Sequence, residues 1–201
     1  MRRVLLISLA LVLAVVGWST VGAEDSFYVI GGGKISAPVV NAPVPMTGQT
    51  TSYGTRDDGD LKMGAAWPTP RFTDNQNGTV TDNLTQLIWM KNAGALGTKT
   101  WDQALADANG LKSGDAGLTD GSQAGEWRLP NLRELQSLFD YGRHSPALPK
   151  DHPFMGVQTS WSSTTSAFLT HTAWAVYSDD GFIGLNAKSS TISVWCVRGG
   201  P

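Results

Sequence analysis

The chain has 201 residues, of which 41% are hydrophobic and 16% charged, with 23 glycines and eight tryptophans. That many large apolar side chains excludes a disordered chain, and the length suits one or at most two domains. The formal charge of -2 and pI near 5.8 argue against nucleic acid as a partner, since duplex binding needs a cationic surface that displaces counterions. One cysteine excludes an internal disulfide framework or a CxxC zinc site.

The N-terminus reads as an address. Arg2 and Arg3 precede an apolar run from Val4 to Val16 broken only by Ser8, and Val21-Gly22-Ala23 places small residues where a signal peptidase reads. The run is shorter than the roughly 20 residues of a membrane span. Cleavage after Ala23 is therefore expected, with export to the periplasm or beyond and no span afterwards. The remaining chain carries 13 basic and 17 acidic side chains, about -4. Residues 24–66 have one short apolar run, Phe27-Tyr28-Val29-Ile30, then Pro38, Pro43 and Pro45. They are expected to form an extended, partly ordered arm, with the domain beginning near Trp67.

Residues 70–90 read as short strands. Asn77-Gly78 marks a hairpin, because both residue types accept positive φ, and Gln86–Met90 is the most apolar segment of the group. A helix follows. Thr100 caps it with Gln103 three residues on, and Trp101, Ala104, Leu105 and Ala108 recur at helical spacing up to Gly110. Residues 111–126 form a Gly-, Ser- and Asp-rich loop. Asn131 caps a second helix behind Pro130, with Glu134 at the third position and Leu132, Leu135 and Phe139 as its stripe, ended by Gly142 and Pro146. Strands return at Trp161–Thr164, at Ala173–Tyr177, and, after the turn Asp179-Asp180-Gly181, at Phe182–Asn186. Ile192–Arg198 is apolar on both faces and is expected to be a central, doubly covered strand. Strands, two helices and strands in this order indicate an α+β domain whose terminal strands meet in one sheet.

Few residues invite chemistry. Asp74-Asn75-Gln76-Asn77-Gly78 with Asp82 is oxygen-rich like a calcium loop, but position five is Gly78 and position twelve is Thr85, so the hairpin is the better reading. Asp57-Asp58-Gly59-Asp60 and Asp179-Asp180-Gly181 read as solvated turns. His144, His152 and His171 share no metal-ligand spacing and read as surface residues. Trp89, Trp101, Trp127 and Trp195 lie inside apolar patterns and belong to the core, leaving Trp67, Trp161 and Trp174 open. Arg128, Arg133, Arg143 and Lys150 are offset by Glu126, Glu134, Asp140 and Asp151, as on a solvated, ion-paired face. Cys196, between Trp195 and Val197, is expected to be buried and inert. No motif asks for a cofactor or a metal, and no catalytic set stands out.

The run Arg71-Phe72-Thr73-Asp74-Asn75-Gln76-Asn77-Gly78-Thr79-Val80-Thr81-Asp82 through Trp89 resembles the opening of the Lcl C-terminal domain family. So do Trp127-Arg128-Leu129-Pro130-Asn131, Trp161-Ser162-Ser163-Thr164, Ala173-Trp174 and Val194-Trp195-Cys196-Val197-Arg198-Gly199. This family takes its name from the tail of a bacterial collagen-like adhesin. The resemblance covers about residues 43–200. It implies a C-type-lectin-like fold, with two helices on a twisted, mostly antiparallel sheet and adjacent terminal strands. It also implies bacterial, extracytoplasmic proteins and, for the adhesin, binding of sulfated polysaccharides. An acidic chain is a poor match for a polyanion. Many relatives carry a second cysteine near position 116, where this chain has Ala116. Leu129-Pro130-Asn131 at a helix start and the hydroxyls of Trp161-Ser162-Ser163 do not reproduce the calcium ligands of sugar-binding lectins.

The expected function is that of a secreted, non-enzymatic recognition and adhesion module meeting a glycan or protein at the cell surface. Loops between the C-terminal strands would present Phe168, His171, Tyr177, Asp179, Asp180, Phe182, Asn186 and Lys188. One alternative is a structural envelope or filament-tip subunit that self-associates as a homo-oligomer. The other is an oxidase like the formylglycine-generating enzymes, whose distantly similar fold needs a reactive cysteine pair that a lone Cys196 does not provide.

Overall fold

The computed structural model describes residues 44–199. The expected signal segment 1–23 and the arm up to residue 43 lie outside them. Two sheets and three helices make up the described part, an α+β arrangement dominated by its sheets. The first sheet joins β1 (Phe72–Asp74), β2 (Thr79–Asp82), β3 (Ile88–Met90) and β9 (Val197–Arg198), in that spatial order and antiparallel throughout. The first and last strands of the domain therefore share a sheet, as expected, but they lie at opposite ends of its order and are not adjacent, because β9 pairs with β3. In the second sheet β4 (Thr98–Lys99), β8 (Ile192–Ser193), β5 (Ser160–Thr165), β6 (Thr172–Val176) and β7 (Ile183–Ala187) lie side by side. Only the β5–β8 contact, Ser160 beside Ser193, is parallel.

Residues 44–66 depart from the expectation of an extended arm. α1 (Asp58–Leu61) forms inside the segment, because the Asp57 carboxylate accepts the N–H groups of Asp60, Tyr53 and Gly54. The acidic run is thus a capped helix start. Met46 N–H donates to the Ala65 carbonyl, and Tyr141 N–H donates to the Thr47 carbonyl. The segment belongs to the same compact unit as the sheets.

α2 (Trp101–Gly110) follows the sequence reading: Gln103 accepts the Thr100 N–H, and Ala104 and Ala108 are fully buried. α3 (Leu132–Gln136) is much shorter than expected. Its start is as read, with Asn131 accepting the Glu134 N–H and Glu134 accepting the Asn131 N–H. It ends where the Ser137 hydroxyl takes the Glu134 carbonyl, and distant residues hold the chain just past that point. Arg71 donates to the Ser137 carbonyl, and Tyr141 N–H goes to Thr47 instead of continuing the helical ladder. Phe139 consequently lies past the helix, though still buried.

The segment 192–198 is also divided. A single strand was expected; β8 and β9 instead belong to different sheets, and Val194-Trp195-Cys196 crosses the core between them. Strand alternation cannot bury successive side chains on one face. Changing sheets lets Val194, Trp195, Cys196 and Val197 all be fully buried. Trp195 Nε1 donates to the Met90 carbonyl at 2.9 Å, and the Cys196 carbonyl accepts the Met90 N–H. Trp195 meets Trp89 and Phe154 edge-on, at 5.5 and 4.9 Å between ring centroids. Burying each such side chain contributes about 1.5–3 kcal/mol. Trp89, Trp127 and Trp161 are fully buried with it, whereas Trp67, Trp101 and Trp174 are half-buried.

Candidate functional site

The hairpin β6–β7 carries most of the expected contact residues. Its tip is built by local chemistry. Gly181 takes φ +76° and donates to the Tyr177 carbonyl, Tyr177 N–H donates to the Phe182 carbonyl, and the Asp180 carboxylate accepts the Phe182 N–H at 2.8 Å. The Tyr177 and Phe182 rings lie 5.6 Å apart, and Phe182 is 60% exposed. Asp179 and Asp180 are exposed beside them. On the same face the Tyr177 hydroxyl donates to Asn186 Oδ1 at 3.4 Å, and Asn186 Nδ2 is buried with no partner.

The other expected residues lie at the opposite end. Lys188 N–H donates to the His171 carbonyl. Lys188 Nζ sits 3.9 Å from the Trp101 ring centroid, and the Trp101 N–H bonds the Lys188 carbonyl. Lys188 thus holds the start of α2. Phe168, 90% exposed, belongs to the β5–β6 loop near that end. A five-residue strand, β7, separates the two groups, roughly 15 Å at the usual rise. Tyr177, Asp179, Asp180, Phe182 and Asn186 form one cluster; Phe168, His171 and Lys188 are not part of it.

Tyr141 joins the tip and is absent from the expected set. Its hydroxyl accepts from Gln136 and reaches the Gly181 carbonyl at 3.5 Å. A Cβ on Gly181 would lie 3.1 Å from the Tyr141 ring, so the turn glycine permits the approach. Beyond Tyr141 runs an apolar cleft of about 520 Å³ lined by Val44, Met46, Phe139, Gln136 and Arg133. On the other flank Asp179, Ser145, His152 and Phe154 line a hollow of about 440 Å³. A chance to see this in the sequence was slight, because Tyr141 follows α3 in an irregular segment.

His152 departs from its reading as a surface histidine. It stacks on Phe154, its Nδ1 is buried without a partner, and burial holds its pKa below the ordinary value. Asp140 lines a further hollow with Trp67, Arg143 and Lys150, and burial raises its pKa. Arg143 stands 3.9 Å from Asp140, and Arg128 pairs with Glu134 at 2.7 Å. The oxygens of the calcium-like turn are taken up internally. Asp74 accepts from Gln76 N–H and Lys91 Nζ, Asn77 accepts from Thr79, and Asp82 faces Arg71. Among the described residues no three His, Cys, Asp or Glu side chains gather as metal ligands.

The motifs quoted from the sequence hold the scaffold. Trp127 Nε1 donates to Ser122, Trp161 Nε1 to the Lys99 carbonyl and Trp101 Nε1 to the Ser162 carbonyl. The Arg128 and Val197 backbones exchange hydrogen bonds, extending the first sheet past β9. Cys196 is fully buried, and burial pushes its thiol pKa up to about 12.

The indoles of Trp101, Trp161 and Trp195 anchored to backbone carbonyls, a first sheet that holds both terminal strands, and shallow surface hollows define an α+β domain. The chain belongs to the Lcl C-terminal domain family, whose model matches residues 78–198. This is a bacterial domain of uncertain function and is not a known enzyme family. No curated protein matches the chain. Among the described residues no helix is long and apolar enough to cross a membrane.

Proposed function

We propose that the protein is an exported, non-enzymatic recognition module, lectin-like in architecture, that meets a glycan at the cell surface through the β6–β7 tip. The exposed Phe182 ring, held beside Tyr177 on a turn that also carries Asp179 and Asp180 and whose Gly181 carbonyl Tyr141 reaches, is the observation that carries this reading. Aromatic faces pack on the apolar face of a sugar ring, and carboxylates accept from its hydroxyls. An acidic tip favours neutral sugars over sulfated ones. Export rests on the leader pattern of residues 2–23. A non-enzymatic role is supported by the buried, protonated state of Cys196.

A glycan array on the protein, with and without calcium, tests the reading. Calcium-independent retention of neutral glycans is expected. Replacing Tyr177, Asp180 and Phe182 together by alanine should abolish it, with the far-ultraviolet circular dichroism unchanged. Lys188→Ala should leave it intact. Retained glycan binding by the triple variant, or binding of protein ligands alone, would overturn the assignment.

A further inference from the structure

We propose that β7 is a pairing edge at which two copies of this chain join their second sheets antiparallel about a two-fold axis through Leu185. β7 is the outermost strand of that sheet, and its register against β6 runs without a bulge from Thr172/Ala187 to Val176/Ile183. Hydrogen bonds at Tyr177/Phe182 and His171/Lys188 set the alternation. Even-numbered β7 residues bond β6, and Ile183, Leu185 and Ala187 turn their backbone groups outward, where the Ala187 carbonyl already accepts the Ser190 N–H at 2.8 Å. By that alternation β6 uses neither the N–H nor the carbonyl of Ile183 and Leu185, and among the described residues no turn or loop bond reaches them.

Edges of this kind are normally blunted by a charge, a proline or a bulge. Phe182-Ile183-Gly184-Leu185-Asn186-Ala187 has none of these. The other edge strands are protected. β1 is three residues long and carries Asp74, paired with Lys91; β4 is two residues long and carries Lys99. Leu185, 39% exposed, stands directly across from half-buried Trp174. Both side chains lie on the face that a second copy would continue.

The strand is complementary to itself. Turned about Leu185, it sets Leu185 opposite Leu185 and Ile183 opposite Ala187 of the second copy. Outward donors then meet outward acceptors at Leu185 and from the Ala187 N–H to the Ile183 carbonyl, while the Ala187 carbonyl takes the Ile183 N–H as a second donor beside Ser190. The ends match in charge as well. The acidic turn Asp179-Asp180 of one copy comes to the end where the other carries Lys188, and Lys188 comes opposite Phe182. The inference does not rest on the glycan reading: the pairing brings a second copy beside Phe182, but Leu185 lies outside the tip cluster, so a substitution there separates the two.

Sedimentation velocity over a concentration series, on the full chain as a bacterial host processes it, tests the pairing. A monomer–dimer equilibrium is expected. Leu185→Lys should remove the dimer while the circular dichroism and glycan retention stay unchanged. Leu185→Cys should cross-link as a disulfide dimer under mild oxidation, because the two-fold axis brings the two thiols together. Ile183→Cys should not, because its two copies would lie roughly 14 Å apart along the paired strands. A monomer at every concentration would overturn the proposal, and so would a dimer that Leu185→Lys leaves intact. Equal cross-linking at positions 183 and 185, or an edge that takes up only unrelated extended peptides, would do the same.

Discussion

The Arg71 guanidinium and the Asp82 carboxylate face each other through two hydrogen bonds of 2.9 Å, where Arg71 is 7% exposed and Asp82 not at all. Arg71 also lies 5.0 Å from the Trp67 and Phe72 ring centroids and donates to the Ser137 carbonyl. One ion pair thus ties the first sheet to the turn after α3 and to Trp67 before β1. Removing one member of such a pair leaves an uncompensated buried charge. Asp82→Ala should cost about 3–5 kcal/mol by that argument, read as a lowered midpoint in urea unfolding. Replacing both residues by apolar ones of similar volume should cost much less.

Cys196 provides a chemical clock for unfolding. Burial lifts its pKa from an ordinary 9.0 to about 12, so the native thiol stays neutral where an unfolded one ionises. Thiol reagents at pH about 8 should modify it only on unfolding, at a rate that rises with denaturant. The folded pKa is raised, so its stabilising contribution is complete below pH 9.0 and is lost as pH rises from there towards 12. Cys196→Ala should weaken that alkaline loss. Rapid native modification would contradict the buried placement.

Gly48 takes φ +89° against the Trp67 ring and the Asp140 carboxylate, and a Cβ there would stand 2.6 Å from Trp67. Gly48→Ala carries roughly 1–3 kcal/mol of backbone strain before the collision is counted. The strain is relieved by releasing the neighbouring segment. Amide exchange at Tyr141, which donates to Thr47, should therefore accelerate strongly, while exchange at Met90 and Val197 changes little.

Glu134 titrates against two opposing influences. Burial pushes its pKa up, but the hydrogen bonds from Arg128 and the Asn131 N–H outweigh it and hold the carboxyl below its ordinary range. The folded pKa is depressed. The stabilisation is therefore present above the usual carboxylate range and is lost as pH falls through the folded value. Glu134→Gln should lower stability at neutral pH and flatten its decline towards acid, measured by urea midpoints across the acid range.

What could be read from the residues alone was whatever local chemistry decides. The Thr100/Gln103 and Asn131/Glu134 boxes and the Asp179-Asp180-Gly181 turn lie where the sequence puts them, as does the hairpin at Asn77-Gly78, though its positive φ angles fall on Gln76 and Gly78 and not on Asn77. The errors lie where distant residues act. α3 stops early where the Ser137 hydroxyl takes the Glu134 carbonyl and the next turn tightens, and just past its end Arg71 and Thr47, far back in the chain, hold the Ser137 carbonyl and the Tyr141 N–H. Residues 192–198 split because Met90 bonds both Trp195 and Cys196. The candidate surface followed the same rule: the tip residues group as their turn dictates. Lys188, though, is drawn to Trp101, and Tyr141 is brought in from a segment with no local signal of its own.

The seam between β3 and β9 has a temporal consequence. The Trp195 indole bonds a carbonyl 105 residues earlier in the chain, and β9 ends at Arg198, three residues before the terminus. Closing the first sheet therefore waits on a contact between segments 105 residues apart, and a pairing so distant in sequence forms late because the loop-closure entropy must be met first. Without Val197 and Arg198 the outer side of β3 is an unpaired edge beside the Trp195 ring.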